Sequence, residues 1–162
     1  RDKSTTYKNV TFPFFLGVTT FRLSATPSNV SSISSSDQFG GRDGDAMCSL
    51  RIKQLKNQIK PAIIKHKHYF KRPRPKETAS LLGRDFSGDF LESAQTPSYP
   101  SGHTAQAYYI AHHLSSEFPN LSSIFYDIAQ NVSQSRIDRG VHFPSDIKGG
   151  IMLADVLFNM RM

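Results

Sequence analysis

From residue 48 onward the apolar positions recur at three- and four-residue spacing: Cys48, Ile52, Leu55, Ile59 and Ile63. That is the period of one face of a helix. Pro61 falls inside the stripe and predicts a kink or a split into two helices. Continued by four, three and four residues, the stripe reaches Lys67, Phe70 and Arg74, so basic side chains stand near the end of an apolar face. Pro73 and Pro75 are expected to end this helix. A second helix is predicted from about His103 to Phe118, with Ala107, Ala111, Leu114 and Phe118 inward and Pro119-Asn120 as the stop. A third runs from about Leu121 to Arg136, with Leu121, Phe125, Ile128 and Val132 on one face. A fourth follows Pro144, using Ile147, Ile151, Ala154 and Phe158.

Between these helices, residues 77–100 read as one long connection rich in Gly, Ser and Asp, and a loop of that length in a compact domain is usually functional. Residues 1–46 differ in kind. They hold an aromatic patch (Phe12, Phe14, Phe15, Phe21), a Ser-rich stretch from Ser24 to Ser36, and a Gly/Asp turn cluster at Gly40-Gly41-Arg42-Asp43-Gly44. The first reading is an irregular arm or lid whose aromatics dock on the core; a Ser-rich segment without fixed structure is the alternative. Apart from a weak alternation near Val10–Thr20, nothing repeats at period two. The expectation is therefore an all-α fold, a helical bundle with a four-helix core over 47–162 and an irregular arm over 1–46, in a single domain.

Length agrees, since 162 residues bury one core but hardly two. The formal charge of +7 calls for an anionic partner: a phosphate ester, a nucleic acid or an acidic headgroup. Cys48 is the one cysteine. It excludes an intrachain disulfide and a cysteine metal cage, and reads as a small buried side chain. The longest apolar runs, such as Phe12–Val18 broken by Pro13, fall well short of the roughly 20 residues that span a bilayer, so no transmembrane segment and a soluble protein are expected. The chain opens on Arg1 rather than Met, and an export signal, if there is one, is not in view.

Three segments carry candidate chemistry. Lys67 is followed after six residues by Arg74-Pro75; next comes Pro100-Ser101-Gly102-His103; last, Ser135-Arg136 is separated by five residues from His142, and His142 by three residues from Asp146. A phosphoryl group in transfer spreads negative charge over three oxygens and needs several fixed cations and amide donors. Lys67, Arg74 and Arg136 supply the cations, arginine with a planar fork and lysine as a point charge. Ser101 and Gly102 precede a predicted helix, where backbone N–H groups and the helix dipole hold an anion. Glycine allows close approach, and the Ser101 hydroxyl is a further donor. Asp146, four residues after His142, can take the Nδ1 proton, leaving Nε2 to attack phosphorus. His103 remains to protonate the leaving oxygen and then to deprotonate water. His103 must be charged while His142 is neutral, so a moderately acidic pH optimum is expected.

This ordered set, with every specified position filled, resembles the three-part signature of the type-2 phosphatidic acid phosphatase superfamily. Within it, Ser98-Tyr99-Pro100-Ser101-Gly102-His103-Thr104 is similar to the class A non-specific acid phosphatases, with Pro97 where that group usually has Gly. Gly140-Val141-His142-Phe143-Pro144-Ser145-Asp146 looks more like the lipid-phosphate branch. The resemblance covers residues 67–146 and the flanking helices. It implies a metal-independent acid phosphatase of phosphorylated small molecules, working through a phosphohistidine on His142, with no cofactor and vanadate as a phosphate mimic. It also implies a periplasmic or secreted location. Three rivals stand beside it: a vanadium-dependent haloperoxidase with vanadate as prosthetic group, a lipid phosphate phosphatase, and an anion- or nucleic-acid-binding module with a decayed site.

Each part, taken alone, has a blander reading. The run Lys71-Arg72-Pro73-Arg74-Pro75-Lys76, taken alone, is a solvated surface or nucleic-acid patch; the other two segments turn it toward catalysis, and no specific nucleic acid is expected. Lys65 with Arg72-Pro73 fits the first segment in a second register. His103 alone is a helix-start histidine, and Ser101 and Asp146 alone are caps. His66, His68, His112 and His113 have no motif role and read as surface or edge residues; adjacent helical residues point about 100° apart, which argues against a metal on His112 and His113. The aromatic arm leaves a homo-oligomer open.

Overall fold

The computed structural model describes residues 42–87 and 95–160, with side chains from residue 49. Residues 1–41 of the arm read over 1–46, with its aromatic patch, Ser-rich stretch and strand hint, lie outside the described residues, as does the Cys48 side chain. The chain divides into two compact units, Arg1–Ile52 and Lys53–Met162. Of the first, only the opening turns of one helix are described.

The described residues are all-α, without a strand. Helix α1 spans Arg42–Phe70, α2 Pro75–Leu81, α3 Gly102–Glu117, α4 Ser122–Asp138 and α5 Pro144–Asn159, with a 3₁₀ turn at Pro119–Leu121. Leu55, Ile59 and Ile63 are buried, as their stripe requires. Two expectations for α1 need correction. The helix is not split at Pro61, and it begins at Arg42, inside the cluster read as a turn. Pro75 does not merely stop α1: it opens α2, taking the first helical position where its missing N–H costs nothing, with Glu77 accepting from the Arg74 N–H at 3.0 Å.

Helix α3 is the centre of the bundle and packs on both α4 and α5. Ala105, Ala107, Tyr109, Ile110, Ala111 and Leu114 of α3 are buried, as are Phe125, Ile128, Ala129 and Val132 of α4. Phe118, expected inward, is 40% exposed because α3 ends one residue earlier and Phe118 leaves helical geometry at φ −133°. In α5 the inward stripe is Asp146, Gly149, Gly150, Leu153 and Ala154, with Ile147, Ile151 and Phe158 only half-buried. The reason is steric. A Cβ on Gly150 would lie 2.7 Å from the Ser101 carbonyl oxygen and 3.2 Å from Ala105 N, and one on Gly149 2.3 Å from the Tyr99 ring. Only glycine lets the start of α5 lie so close to the start of α3.

His112 and His113 hold edge rather than surface positions. His112 bridges helices, its Nδ1 2.7 Å from the Tyr126 hydroxyl and its Nε2 2.7 Å from Asp155, and it stacks on Phe158. His113 meets Tyr109 and Phe158 edge-on. Both are half-buried, because α3 is covered by helices on more than one side.

Candidate active site

The close approach of α5 to α3 brings the three motif segments together around one carboxylate. Asp146 has no exposed surface. Its Oδ2 accepts from Phe143 N at 2.9 Å, lies 3.1 Å from His142 Nδ1, and takes the hydroxyl proton of Ser98. Its Oδ1 takes Arg72 Nη1 at 2.9 Å, and its backbone carbonyl accepts Ser101 N at 2.9 Å. Burial alone would raise the carboxyl pKa, but the bonds from His142, Ser98 and Phe143 N outweigh it and hold Asp146 below the ordinary carboxylate range. It is therefore an anion that fixes its partners.

His142 is the partner that matters most. With Nδ1–H given to Asp146, Nε2 carries the lone pair, and it sits 3.4 Å from Arg74 Nη1. The ring is buried. Desolvation lowers its pKa, with Arg74 and Lys67 adding to the effect and Asp146 opposing it; the neutral form that a nucleophile requires is thereby favoured.

The first motif segment forms the cationic wall. Lys67 and Arg74 are both nearly fully buried. Lys67 Nζ donates to the Pro97 carbonyl and, at 3.4 Å, to that of Ser98. Burial and the neighbouring Arg74 lower its pKa to about 8, against the pull of Asp146. Arg74 donates from Nε to the Thr96 carbonyl and from Nη1 to the Val141 carbonyl, each at 2.8 Å. Lys65, the alternative register, is exposed. Arg72 instead clamps Asp146, donates to Ser145 Oγ at 2.6 Å and lies over the Phe143 ring.

The second segment supplies the start of α3. Ser101 caps the helix, its Oγ accepting from Thr104 Oγ1 at 2.9 Å and from Thr104 N at 3.4 Å. Ser101 has no exposed surface, and both of these bonds use its oxygen as the acceptor, so its own proton is not committed to the helix. A Cβ on Gly102 would stand 3.3 Å from Ile63 and 3.7 Å from Lys67 Cε, so the glycine seats the start of α3 against the cationic end of α1. His103 follows. Desolvation, then Arg136, His142, Lys56 and Lys67, lower its pKa to about 4. Arg136 is half-buried and is oriented by its neighbour, donating from Nε and Nη2 to Ser135 Oγ at 3.1 and 2.9 Å.

Motif reading did not find Ser98 or Gly149 and Gly150, and gave Arg72 a place only in the basic run and in the second register. Ser98 had one faint signal, its position at the head of the second segment. Among the described residues no group of three or more His, Cys, Asp or Glu side chains is placed to hold a metal. What has been gathered is lysine, arginine, imidazole and a helix N-terminus, the complement of a tetrahedral oxyanion.

A family model, that of the PAP2 superfamily, matches residues 51–161. The chain belongs to this superfamily. A search of curated proteins finds no match. Among solved structures the chain is similar to the first transmembrane PAP2-type phosphatidylglycerolphosphate phosphatase from Bacillus subtilis, at 28% identity and a TM-score of 0.48, over 73% of this chain and 56% of that one. The chain thus spans little more than half the length of that relative. No helix among the described residues is long and apolar enough to cross a membrane.

Proposed function

We propose that the chain hydrolyses phosphomonoesters through a covalent phosphohistidine on His142. In the first step the Nε2 lone pair attacks phosphorus, the bond from phosphorus to the ester oxygen breaks, and His103 gives its proton to the departing oxygen. In the second, His103 takes a proton from water as that water attacks phosphorus; the N–P bond breaks, and inorganic phosphate leaves. Lys67, Arg74, Arg136 and the N–H groups at the start of α3 bind the equatorial oxygens in both steps. Asp146 holds His142 in the attacking tautomer and stabilises the imidazolium character that develops on phosphorylation.

One observation carries this reading: His142 has Nδ1 committed to Asp146 at 3.1 Å and Nε2 beside the Arg74 guanidinium at 3.4 Å. A nucleophilic nitrogen is thus aimed into a cluster of cations. His142→Ala should abolish release of phosphate from an aryl phosphate, and the wild type, quenched during turnover, should carry an acid-labile, alkali-stable phosphate. Full activity in His142→Ala refutes the proposal.

A narrower reading, that the ester is a lipid headgroup phosphate, draws support from apolar side chains left in solvent on the segments leaving the site: Tyr69 at 80%, Leu81 at 79% and Leu82 at 63% exposed. Rates on a short-chain phosphatidate and on a soluble nucleotide separate the two, since only a lipid enzyme would favour the first.

A further inference from the structure

The two oxygens of Asp146 have different surroundings. Oδ2 faces the active site, where it meets His142 Nδ1 and accepts from the Ser98 hydroxyl and Phe143 N. Oδ1 has one hydrogen-bond partner among the described residues, Arg72 Nη1 at 2.9 Å. That guanidinium is itself held. Nη1 also donates to Ser145 Oγ at 2.6 Å, and the Phe143 ring centre lies 4.3 Å from Cζ. The Arg72 carbonyl accepts Ser98 N at 2.8 Å, so Arg72, Asp146 and Ser98 close a ring of bonds that includes both carboxylate oxygens. A turn at the end of α1 leads into this arrangement. Lys71 adopts φ 46°, a left-handed conformation that residues with a Cβ seldom take, immediately before Arg72.

An ion pair on the far oxygen changes what the near oxygen can do. A cation beside a carboxylate favours its charged form and so weakens its hold on any further proton. With Arg72 on Oδ1, Nδ1 keeps its proton, and His142 is a weaker base than Asp146 alone would make it. The two steps of the reaction respond in opposite ways. Attack on phosphorus gains from a more basic Nε2. Breakdown of the phosphohistidine needs the reverse: the water oxygen bonds to phosphorus, its proton passes to His103, the electron pair of the N–P bond returns to Nε2, and the imidazole leaves neutral with Nδ1 still protonated. A carboxylate free to draw that proton away would give the leaving imidazole anionic character and slow its departure.

Resting on the phosphatase reading above, we infer that Arg72 is a positioning residue that acts through Asp146 on His142, restraining the pull of the carboxylate on the Nδ1 proton and so favouring breakdown of the phosphohistidine over its formation. The role requires no contact with the substrate. It falls to a residue outside the phosphate cradle, partly in water at 36% side-chain exposure, paired with a carboxylate that has none.

The test has two readouts in the wild type, Arg72→Gln and Arg72→Lys. Asp146, Arg74, Lys67 and His103, the charged or titrating groups that act on His142 from α5, the start of α2, α1 and α3, are the same in all three. The first readout is NMR titration of the His142 imidazole without substrate. Arg72→Gln should raise its pKa by about one unit, a tenfold gain in proton affinity, and Arg72→Lys should bring most of the difference back. A mere strut for Asp146 predicts the opposite sign, because a loosened carboxylate would support Nδ1–H less; a fall, or no change, overturns the inference. The second readout is rapid-quench kinetics of the phosphoenzyme on an aryl phosphate. The ratio of its breakdown rate to its formation rate should drop about tenfold in Arg72→Gln, and an unchanged ratio also overturns the inference. If Arg72→Gln does not fold, Ser145→Ala, which keeps the guanidinium but removes one of its holds, should move both readouts the same way by a smaller factor, and no movement refutes the role. The phosphatase reading fails by a different result, no turnover and no phosphoenzyme in folded wild type; the titration then still decides whether Arg72 governs the basicity of His142.

Discussion

Acidification is expected to weaken this protein through His103, and bound phosphate to prevent the loss. In the folded, empty site, burial and surrounding cations lower the His103 pKa from 6.5 to about 4; in the unfolded chain it returns to the ordinary value. Between those two values the unfolded state binds a proton that the folded state does not. Stability therefore falls as pH drops from about 6.5 toward 4 and loses nothing further on this account below 4. At about 1.4 kcal/mol per pH unit, the full loss is roughly 3 kcal/mol. His142, whose pKa is also lowered, contributes in the same direction.

The assay is thermal or denaturant unfolding at several pH values in the wild type and in His103→Gln, where subtraction cancels every other titrating group. The wild type should lose about 3 kcal/mol relative to the variant between pH 7 and pH 4. Orthophosphate places negative charge among the cations that depress His103, so its pKa should rise and the gap between the two proteins shrink. Kinetics should follow. At pH 7 only on the order of one free molecule in a thousand would carry the His103 proton at a pKa near 4, so the limb of kcat/KM set by His103 should lie at lower pH than that of kcat, which reports the substrate-bound form. Parallel stability curves for wild type and His103→Gln, or an imidazole resonance of His103 titrating near 6.5 in the free protein, would refute the reasoning.

Further expectations concern neighbouring groups. Gly150→Ala places a methyl group 2.7 Å from the Ser101 carbonyl oxygen and 3.0 Å from Thr104 Cβ, where backbone and not a flexible tip must yield; a destabilisation of about 1–3 kcal/mol in chemical denaturation, with a fall in kcat, is expected. Ser98→Ala removes a hydroxyl bonded to Asp146 Oδ2; about 1.5 kcal/mol, the lower end for a bond to a charged group, corresponds to a roughly tenfold drop in kcat, with the Asp146 carboxyl titrating at higher pH. Vanadate should inhibit phosphate release competitively while EDTA leaves the rate unchanged; bromide oxidation with vanadate and peroxide, in the absence of phosphate release, would favour the haloperoxidase instead.

The long helices were legible because their signal is local: each carries its own apolar period, and tertiary packing merely selects the face. Where the reading failed, the deciding fact was elsewhere in the fold. Pro61 reads as a breaker, yet α1 continues through it. Helix α2 has seven residues, none of them buried, so it offers no period to detect, and its opening Pro75 looks the same as a stop signal. On α5, Ile147, Ile151 and Phe158 form a plausible inward face, but Gly149 and Gly150 decide the contact because the start of α3 presses on them. Apolarity does not record that preference. The same holds for Arg72 and Ser98, whose bonds to Asp146 cross 74 and 48 residues of chain; spacing along the sequence cannot report which loop will face a carboxylate that far away.

Those long-range bonds also tie the motif residues into one set. Asp146 is ordinarily read as the orienter of His142, and its bond at 3.1 Å supports that role. The same residue receives Ser101 N through its backbone, Ser98 and Arg72 through its side chain, and the Phe143 N–H that opens α5. The start of α5, the loop leading into α3 and the link between α1 and α2 are therefore registered against each other by one buried anion. Replacing it with asparagine would keep the shape but introduce an amide that must turn at least one donor toward other donors. Leaving a buried group unsatisfied costs about 1–3 kcal/mol, and here the loss would fall on three segments at once. His142, the cationic wall and the helix start share a single electrostatic anchor, so under the proposed mechanism a defect in positioning and a defect in chemistry should be inseparable at this residue, whereas at Ser98 or Gly150 they can be told apart.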